Sequence, residues 1–212
     1  AEVVPCTLIH ARHEDRGFRA GAARNHAVSK SSGDYLIFLD GDCIVRPNFL
    51  AGYARLAQSG YLTRGCRVLL SEGYTLRLLR DQELPPGDRS WLTRRLRGEV
   101  NRLLPLLHVP YRWFHKAHRW RGIKSCNLGL WRADFENVNG FDESYVGWGH
   151  EDHDLAVRLL RAGIQRKEGR SDVPVIHLWH KKGDRSANQE NEKRLEGVLR
   201  ADYTRAPVGL KR

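Results

Sequence analysis

The stretch Tyr35-Leu36-Ile37-Phe38-Leu39-Asp40 constrains this chain more than any other, because apolar side chains follow one another without interruption and end at an acid. A half-exposed strand alternates polar with apolar residues. An unbroken apolar run instead belongs to a strand covered on both faces, as in a parallel α/β sheet. Gly33 and Asp34 turn the chain into it from a helix of small residues that ends near Ser31. The run stops at "DGDC", residues 40–43, and in such sheets ligands gather at the carboxyl ends of strands.

The alternation continues downstream. Pro47 opens a helix that closes at Gly60, and "YLTRGCRVLLS" reads as the next strand. From Tyr74 to Trp120 the pattern changes to helical pieces broken by Pro85, Pro86, Gly87, Pro105 and Pro110, which predicts a helical insertion or lid over residues 74–120. Strand character returns around Leu128 to Trp131, followed by a short helix and a turn at Asn139-Gly140. "EDHDLAVRLLRAG" is then an amphipathic helix stopped by Gly163, "VPVIHLWH" a last strand and "SANQENEKRLEGVLRADY" a terminal helix, with a loose tail expected after Ala206. At 212 residues, one domain spanning 1–212 is expected.

A formal charge of +11 favours anionic partners: nucleic acid, phosphorylated ligands or an acidic membrane surface. Much of it sits in the insertion and just after it, where Arg89, Arg94, Arg95, Arg97, Arg102, Arg112, Lys116, Arg119, Arg121 and Lys124 are interleaved with Trp91, Trp113, Phe114 and Trp120. Basic and aromatic residues together suit attachment to anionic lipid, and equally a solvated basic face over ordinary core aromatics. Cys6, Cys43, Cys66 and Cys126 lack the paired spacing of a zinc site and fit free thiols in a reducing compartment. No run is long enough to span a membrane and no charged-then-apolar leader opens the chain, so a cytoplasmic location, peripheral on the inner face of the cytoplasmic membrane, is expected.

Four constellations carry chemistry. Asp40 and Asp42 at a strand end can hold a hard divalent cation, although acidic turns after strands are common. His177 and His180 are three residues apart, so on a continuous strand they point to opposite faces and only one could join that cation unless the strand breaks before His180. Mn2+ accepts both oxygen and nitrogen and suits such a set better than zinc. In "GWGHEDHDL", Glu151 and Asp152 sit in a first helical turn where the dipole favours carboxylates. Trp148 between Gly147 and Gly149 is costly as decoration; beside a carboxylate it suits a stacked sugar ring, with the carboxylate as a general base. Finally, Arg16, Arg19 and Arg24 with Gly17 and Gly21 at a helix entry suit phosphate contact, or are plain surface arginines. His150 and His153 have no role legible in the sequence.

Taken together, "GFRAGAARN", "GDYLIFLDGDC", "CNLGLWRADFENVNGFDE", "GWGHEDHDL" and "HLWH", in that order, resemble a family 2 glycosyltransferase with the GT-A fold, its C-terminal half of the β-1,4-galactosyltransferase and chondroitin polymerase type. The resemblance implies an α/β, Rossmann-like nucleotide-diphospho-sugar transferase with a mixed, mainly parallel sheet flanked by helices. It implies an inverting transfer from a UDP-sugar to a hydroxyl of a saccharide or lipid-linked acceptor, in bacterial surface polysaccharide or lipopolysaccharide synthesis, with Mn2+ or Mg2+. By the same resemblance Asp152 is the base, Glu151 holds an acceptor hydroxyl, and Asp42, His180 and, less directly, His177 bind the metal. Arg19, Arg24, Asp40, Trp148 and Gly149 are then substrate-binding. The family opens with a strand and turn that embrace uracil, and this chain starts after them, so part of the donor pocket is expected to be missing.

Two other functions use the same features. A nucleic-acid-binding protein would use the basic insertion but leaves the acids at 40, 42, 151 and 152 unexplained, so no nucleic acid is expected as partner. A metal-dependent hydrolase of nucleotide sugars would use the same carboxylates. The donor sugar, the acceptor and the linkage are not written in the sequence.

Overall fold

The computed structural model describes residues 6–85, 90–106 and 119–211. Helix α1 (Ala20–Lys30) leads into β1 (Tyr35–Leu39) and β2 (Cys43–Val45), then α2 (Phe49–Leu56), β3 (Tyr61–Arg64) and β4 (Cys66–Leu69). Helices α3 (Glu72–Asp81) and α4 (Trp91–Leu96) and a 3-10 turn at Leu104–Leu106 follow. The chain continues through β5 (Asn127–Trp131), α5 (Arg132–Asn137), α6 (Glu151–Arg161), β6 (Gln165–Glu168), β7 (Pro174–His177) and α7 (Asn188–Arg200). Pro86, Gly87, Arg89, Pro110, Arg112, Trp113, Phe114 and Lys116 lie outside the described residues.

The strands form two sheets, ordered β1-β5-β3-β6 and β2-β7-β4. Parallel pairing is confined to β3 with β6 and β4 with β7, whereas β5 runs against both β1 and β3, and β2 runs against β7. The expected mixed α/β architecture is present, divided into two sheets and with less parallel pairing than expected. The apolar run of β1 has a different cause from strand direction: both its faces are covered. Leu36 and Phe38 enter a core with Leu62, Leu128, Leu130, Phe135, Phe141, Leu155 and Leu159, while Tyr35 and Ile37 pack on Phe49, Tyr53, Val173 and Val175. Leu128 and Leu130 are fully buried, each contributing about 1.5–3 kcal/mol relative to an exposed side chain.

"YLTRGCRVLLS" is two strands in two sheets, joined at Gly65. A side chain at Gly65 would collide with the Asn127 amide, which is fully committed: it accepts from Tyr53 Oη at 2.6 Å and donates to Cys66 O and Val173 O at 3.1 and 2.8 Å. The second sheet is backed by α3, α4 and the residues after them, where Tyr74, Leu78, Trp91, Val100 and Leu106 pack on Val68 and Ile176. Trp91 is thus a core residue, not a surface anchor. Trp120 packs partly buried against the first core.

The tail expected to be loose is pinned. At the Asn139-Gly140 turn, where Asn139 has φ 62°, the Asn139 Nδ2 donates to Ala206 O at 2.9 Å and its Oδ1 accepts from Lys211 N at 2.8 Å. Ala206 N also donates to Val138 O at 3.0 Å. The composition of the tail gives no hint of this, because the partner lies far back in the chain.

Candidate active site

The end of β1, the start of β2 and the end of β7 meet through one register. Cys43 pairs with His177, and Leu178 N donates to Asp42 O at 2.9 Å, so Asp42 sits beside the residues that leave β7. Strand β7 ends at His177, which frees the following residues from alternation and lets both imidazoles turn to the same carboxylate. His177 Nε2 lies 3.4 Å and His180 Nε2 3.2 Å from Asp42 Oδ2. The other ring nitrogen of each faces a backbone carbonyl, His177 Nδ1 to Leu178 O at 2.8 Å and His180 Nδ1 to Lys181 O at 3.0 Å. A proton on Nδ1 leaves the Nε2 lone pair directed at the cluster, the tautomer a metal ligand needs. Burial, against the pull of Asp42, holds the His177 pKa below the ordinary histidine value, which keeps its ring neutral. Ligand atoms of Asp42, His177 and His180 all lie within 4.8 Å of one another, and one carboxylate with two imidazoles fits a borderline divalent ion such as Mn2+.

The other half of the site is the start of α6. Gly147 and Gly149 have φ 77° and 110°, and His150 follows with φ 75°, a conformation that costs a residue with a side chain about 1–2 kcal/mol. The glycines answer why they flank Trp148: a side chain at either would press on Ala187 or Asn188 at the start of α7. Asn191 Nδ2 donates to Val146 O at 3.1 Å and Trp148 O at 3.4 Å, and Gly147 N donates to Phe18 O at 2.8 Å, so this loop is held from both sides. Trp148 is 38% exposed and carries the Arg185 guanidinium 4.3 Å from its ring centre.

The acids of α6 divide into two kinds. Asp154 is fully buried and bound by Arg158 Nε at 2.9 Å and Nη2 at 2.5 Å, while Arg158 also donates to Val138 O; this pair holds the fold. Glu151 and Asp152 instead line a cleft of about 150 Å3 with Phe18, Arg24, Asp40, Trp148 and Gly149. Burial raises the Asp152 pKa above the ordinary carboxylate value, eased by Lys124 and Arg24 and by the backbone amides of His153 and Ser125. Burial, and then the neighbouring Asp152 charge, raises that of Glu151. A carboxylate so desolvated is a stronger base than one in water.

Arg24 ties the halves together. Its Nη2 donates to Asp40 Oδ1 at 2.7 Å and its Nη1 to Glu151 Oε1 at 3.2 Å, over the ring of Phe141. Asp40, Arg24, Glu151, Asp152, Trp148 and Gly149 therefore converge on one cleft, and Asp42, His177 and His180 on one cluster. Arg19 is not among the cleft's lining residues; its Nε donates to Arg16 O at 3.3 Å at the head of α1.

The cleft also holds residues the sequence reading missed: Arg67, Lys124, Ser125 and Cys126. Arg67 was findable as the one charge inside "CRVLL". His150 and His153 line the cleft too, with their buried Nδ1 atoms lacking hydrogen-bond partners among the described residues. Burial first, then Lys124, pushes the His153 pKa down to about 4, so it is a neutral ring against Trp120, 5.3 Å between centres.

Comparison with known proteins bears on the family and the fold. The model of the family described as glycosyl transferase family 2 matches residues 6–123, and that described as the N-terminal domain of galactosyltransferase matches residues 106–181. Validoxylamine A glucosyltransferase of Streptomyces hygroscopicus subsp. jinggangensis (strain 5008) is 32% identical over 171 residues, 71% of this chain and 37% of that protein. Beta-1,4-galactosyltransferase 3 of Homo sapiens is 32% identical over 73 residues, 34% of this chain and 18% of that protein. The chain thus spans little more than a third of the first of these relatives and less of the second. Among solved structures, GalNAc-T7 crystallised with UDP, GalNAc and Mn2+ superposes with a TM-score of 0.50 at 15% identity, covering 77% of this chain and 31% of that one, a likeness of fold.

Proposed function

The chain belongs to glycosyltransferase family 2, and from that membership and the geometry of the cleft we propose that it transfers a sugar, with inversion, from a UDP-sugar to a hydroxyl of a saccharide or lipid-linked acceptor. The observation that carries the reading is the convergence through Arg24 of the acid at the end of β1 with the acids opening α6. A donor held at the first and an acceptor held at the second would meet in the cleft between them.

In this reading Asp152 removes the proton of the acceptor hydroxyl. The freed oxygen bonds to the anomeric carbon while the bond from that carbon to the diphosphate breaks on the opposite side. One carboxylate and no covalent intermediate give inversion. Glu151, fixed by Arg24, positions an acceptor hydroxyl, and Trp148 supplies the face for a sugar ring. Negative charge grows on the departing diphosphate, and Arg67 and Lys124 are cations in the cleft placed to offset it. Asp42, His177 and His180 would hold Mn2+ or Mg2+, which supplies further charge stabilisation to the diphosphate when bound. Arg19 remains a candidate for the nucleotide. No nucleic-acid partner is needed by this arrangement.

The association proposed with an anionic membrane surface rests on the insertion. Leu76, Leu79, Leu92, Leu96 and Leu104 are each more than half exposed there. Its arginines contribute less than the sequence suggests, because Arg77 and Arg94 are both bound to Glu99 and Arg80 to Asp81. Among the described residues no helix is long and apolar enough to cross a membrane. A role in surface polysaccharide synthesis on the inner face of the cytoplasmic membrane is the pathway this combination fits.

The test is a panel of UDP-sugars with and without saccharide acceptors, read by NMR of the product. Acceptor-dependent UDP release with an inverted anomeric carbon supports the proposal. Sugar release to water at the same rate with and without acceptor would replace it by hydrolysis.

A further inference from the structure

A second cavity, of about 380 Å3, lies apart from the catalytic cleft and is lined by Arg64, Cys66, Arg102, Leu104, Pro105, Arg170 and Ser171. Its position follows from strand alternation. Cys66 and Arg67 are successive residues of β4 and point to opposite faces; Cys66 lines this cavity and Arg67 the catalytic cleft, so the two open on opposite sides of the strand.

Among the described residues, arginines outnumber acids around this cavity. Glu168, nearly fully buried, is shared by Arg64 at 2.9 Å, Arg170 at 3.4 Å and Arg166. Arg166, itself buried, spends its remaining donors on Arg119 O and Arg121 O, and its Nε has no hydrogen-bond partner among the described residues. Arg102 is exposed at the rim and makes no hydrogen bond or ion pair among the described residues. The nearest acid along the chain, Asp172, faces Arg55 at 3.7 Å. Among the described residues, Arg64, Arg102 and Arg170 thus line the cavity, and the carboxylate beside them, Glu168, is already shared by Arg64, Arg170 and Arg166. Like charges converging on a partly enclosed space raise its free energy unless an anion joins them, and the guanidinium fork matches the oxygens of a phosphoryl group.

We propose that this cavity is a binding site for the phosphoryl group of a small ligand, held by Arg102, Arg170 and the outer edge of Arg64, with Ser171 at its wall. The site is separate from donor binding and does not depend on the reading of the catalytic cleft. Its size suits a diphosphate or a phosphorylated monosaccharide, and the apolar rim at Leu104 and Pro105 admits a ligand with a hydrocarbon part.

The experiment is calorimetric titration of the full chain with inorganic pyrophosphate in EDTA, which removes metal-dependent binding at Asp42. Saturable binding is expected for the native protein and for Asp42→Asn. The Arg102→Ala/Arg170→Ala double variant should bind at least tenfold more weakly while retaining Mn2+-dependent UDP binding, which shows that its fold and donor site are intact. Titration with dodecyl diphosphate below its micelle threshold separates the sources: tighter binding than pyrophosphate assigns the phosphoryl group to a lipid, equal binding to a soluble ligand. Absence of saturable pyrophosphate binding to the native protein, or equal affinity in the double variant, overturns the proposal.

Discussion

The two halves of the site use the same kinds of side chain in opposite surroundings. At the end of β1 and β7, Asp42 and His180 are open, with side chains 31% and 56% exposed. At the head of α6, Glu151 and Asp152 are buried, each exposing less than a tenth of its surface. The first half buries His177 but keeps Asp42 and His180 hydrated until something binds, and its cost to the fold is small. The second half holds carboxylates away from water continuously, and that cost is borne by the folded state whether or not substrate is present. A binding site can afford openness, whereas a base gains strength from dryness.

The contrast is most sharply broken at Asp152. Asp152→Asn should lower turnover by about 10²–10⁴-fold, the usual contribution of a positioned base, while leaving Mn2+-dependent UDP binding unchanged. It should also raise the melting temperature, because a buried charge is replaced by a neutral amide. Steady-state kinetics and calorimetry on one preparation test both, and a variant that keeps turnover, or loses stability, reverses the assignment.

Next in size, Asp42→Ala should remove the part of UDP affinity that Mn2+ supplies and leave stability within about 0.5 kcal/mol, as expected for a half-open surface group. Identical UDP titrations with and without Mn2+ in the native protein would dissolve the contrast from the metal side. Arg24→Ala strikes both halves at once. Against the cost of burial, Asp40 and Glu151 hold its charge, and removing it leaves Glu151 buried beside Asp152, destabilising the fold by about 1–3 kcal/mol. Urea denaturation measures this.

The smallest effect is in pH. Because Glu151 and Asp152 have raised pKa values in the folded state, that state binds their protons more tightly than the unfolded chain does. Their stabilising contribution is complete below the ordinary carboxylate range and is lost as pH rises through the raised values. Turnover moves the other way, increasing through the same window as Asp152 becomes a free base. The difference in melting temperature between Asp152→Asn and the native protein should therefore vanish in acid and grow toward neutral pH.

How much of this was legible in the sequence depended on whether a residue's partner lay nearby. The strand before Asp40, the helix after His150 and the family itself could be read, because periodicity and motif order are local properties. Strand β6 escaped notice because "QRKE" has the wrong polarity for a strand interior: Arg166 and Glu168 are buried as an ion pair, which only the fold reveals. The pairing of His177 with His180 turned on where β7 ends, and Gly65 looked like a residue inside one strand until the Asn127 amide beside it was seen. Arg24 looked like a phosphate ligand, and its actual partners, Asp40 and Glu151, are carboxylates brought from elsewhere in the chain.

The pinned tail bears on chemical ageing. Asn-Gly is the dipeptide order most prone to close on itself as a succinimide and lose ammonia, since glycine leaves its backbone nitrogen unshielded. At Asn139-Gly140 the amide cannot swing freely, because its nitrogen is held by Ala206 and its oxygen by Lys211. The last residues of the described chain thereby act as a preservative for the turn, and trimming them would turn a durable corner into a slow clock.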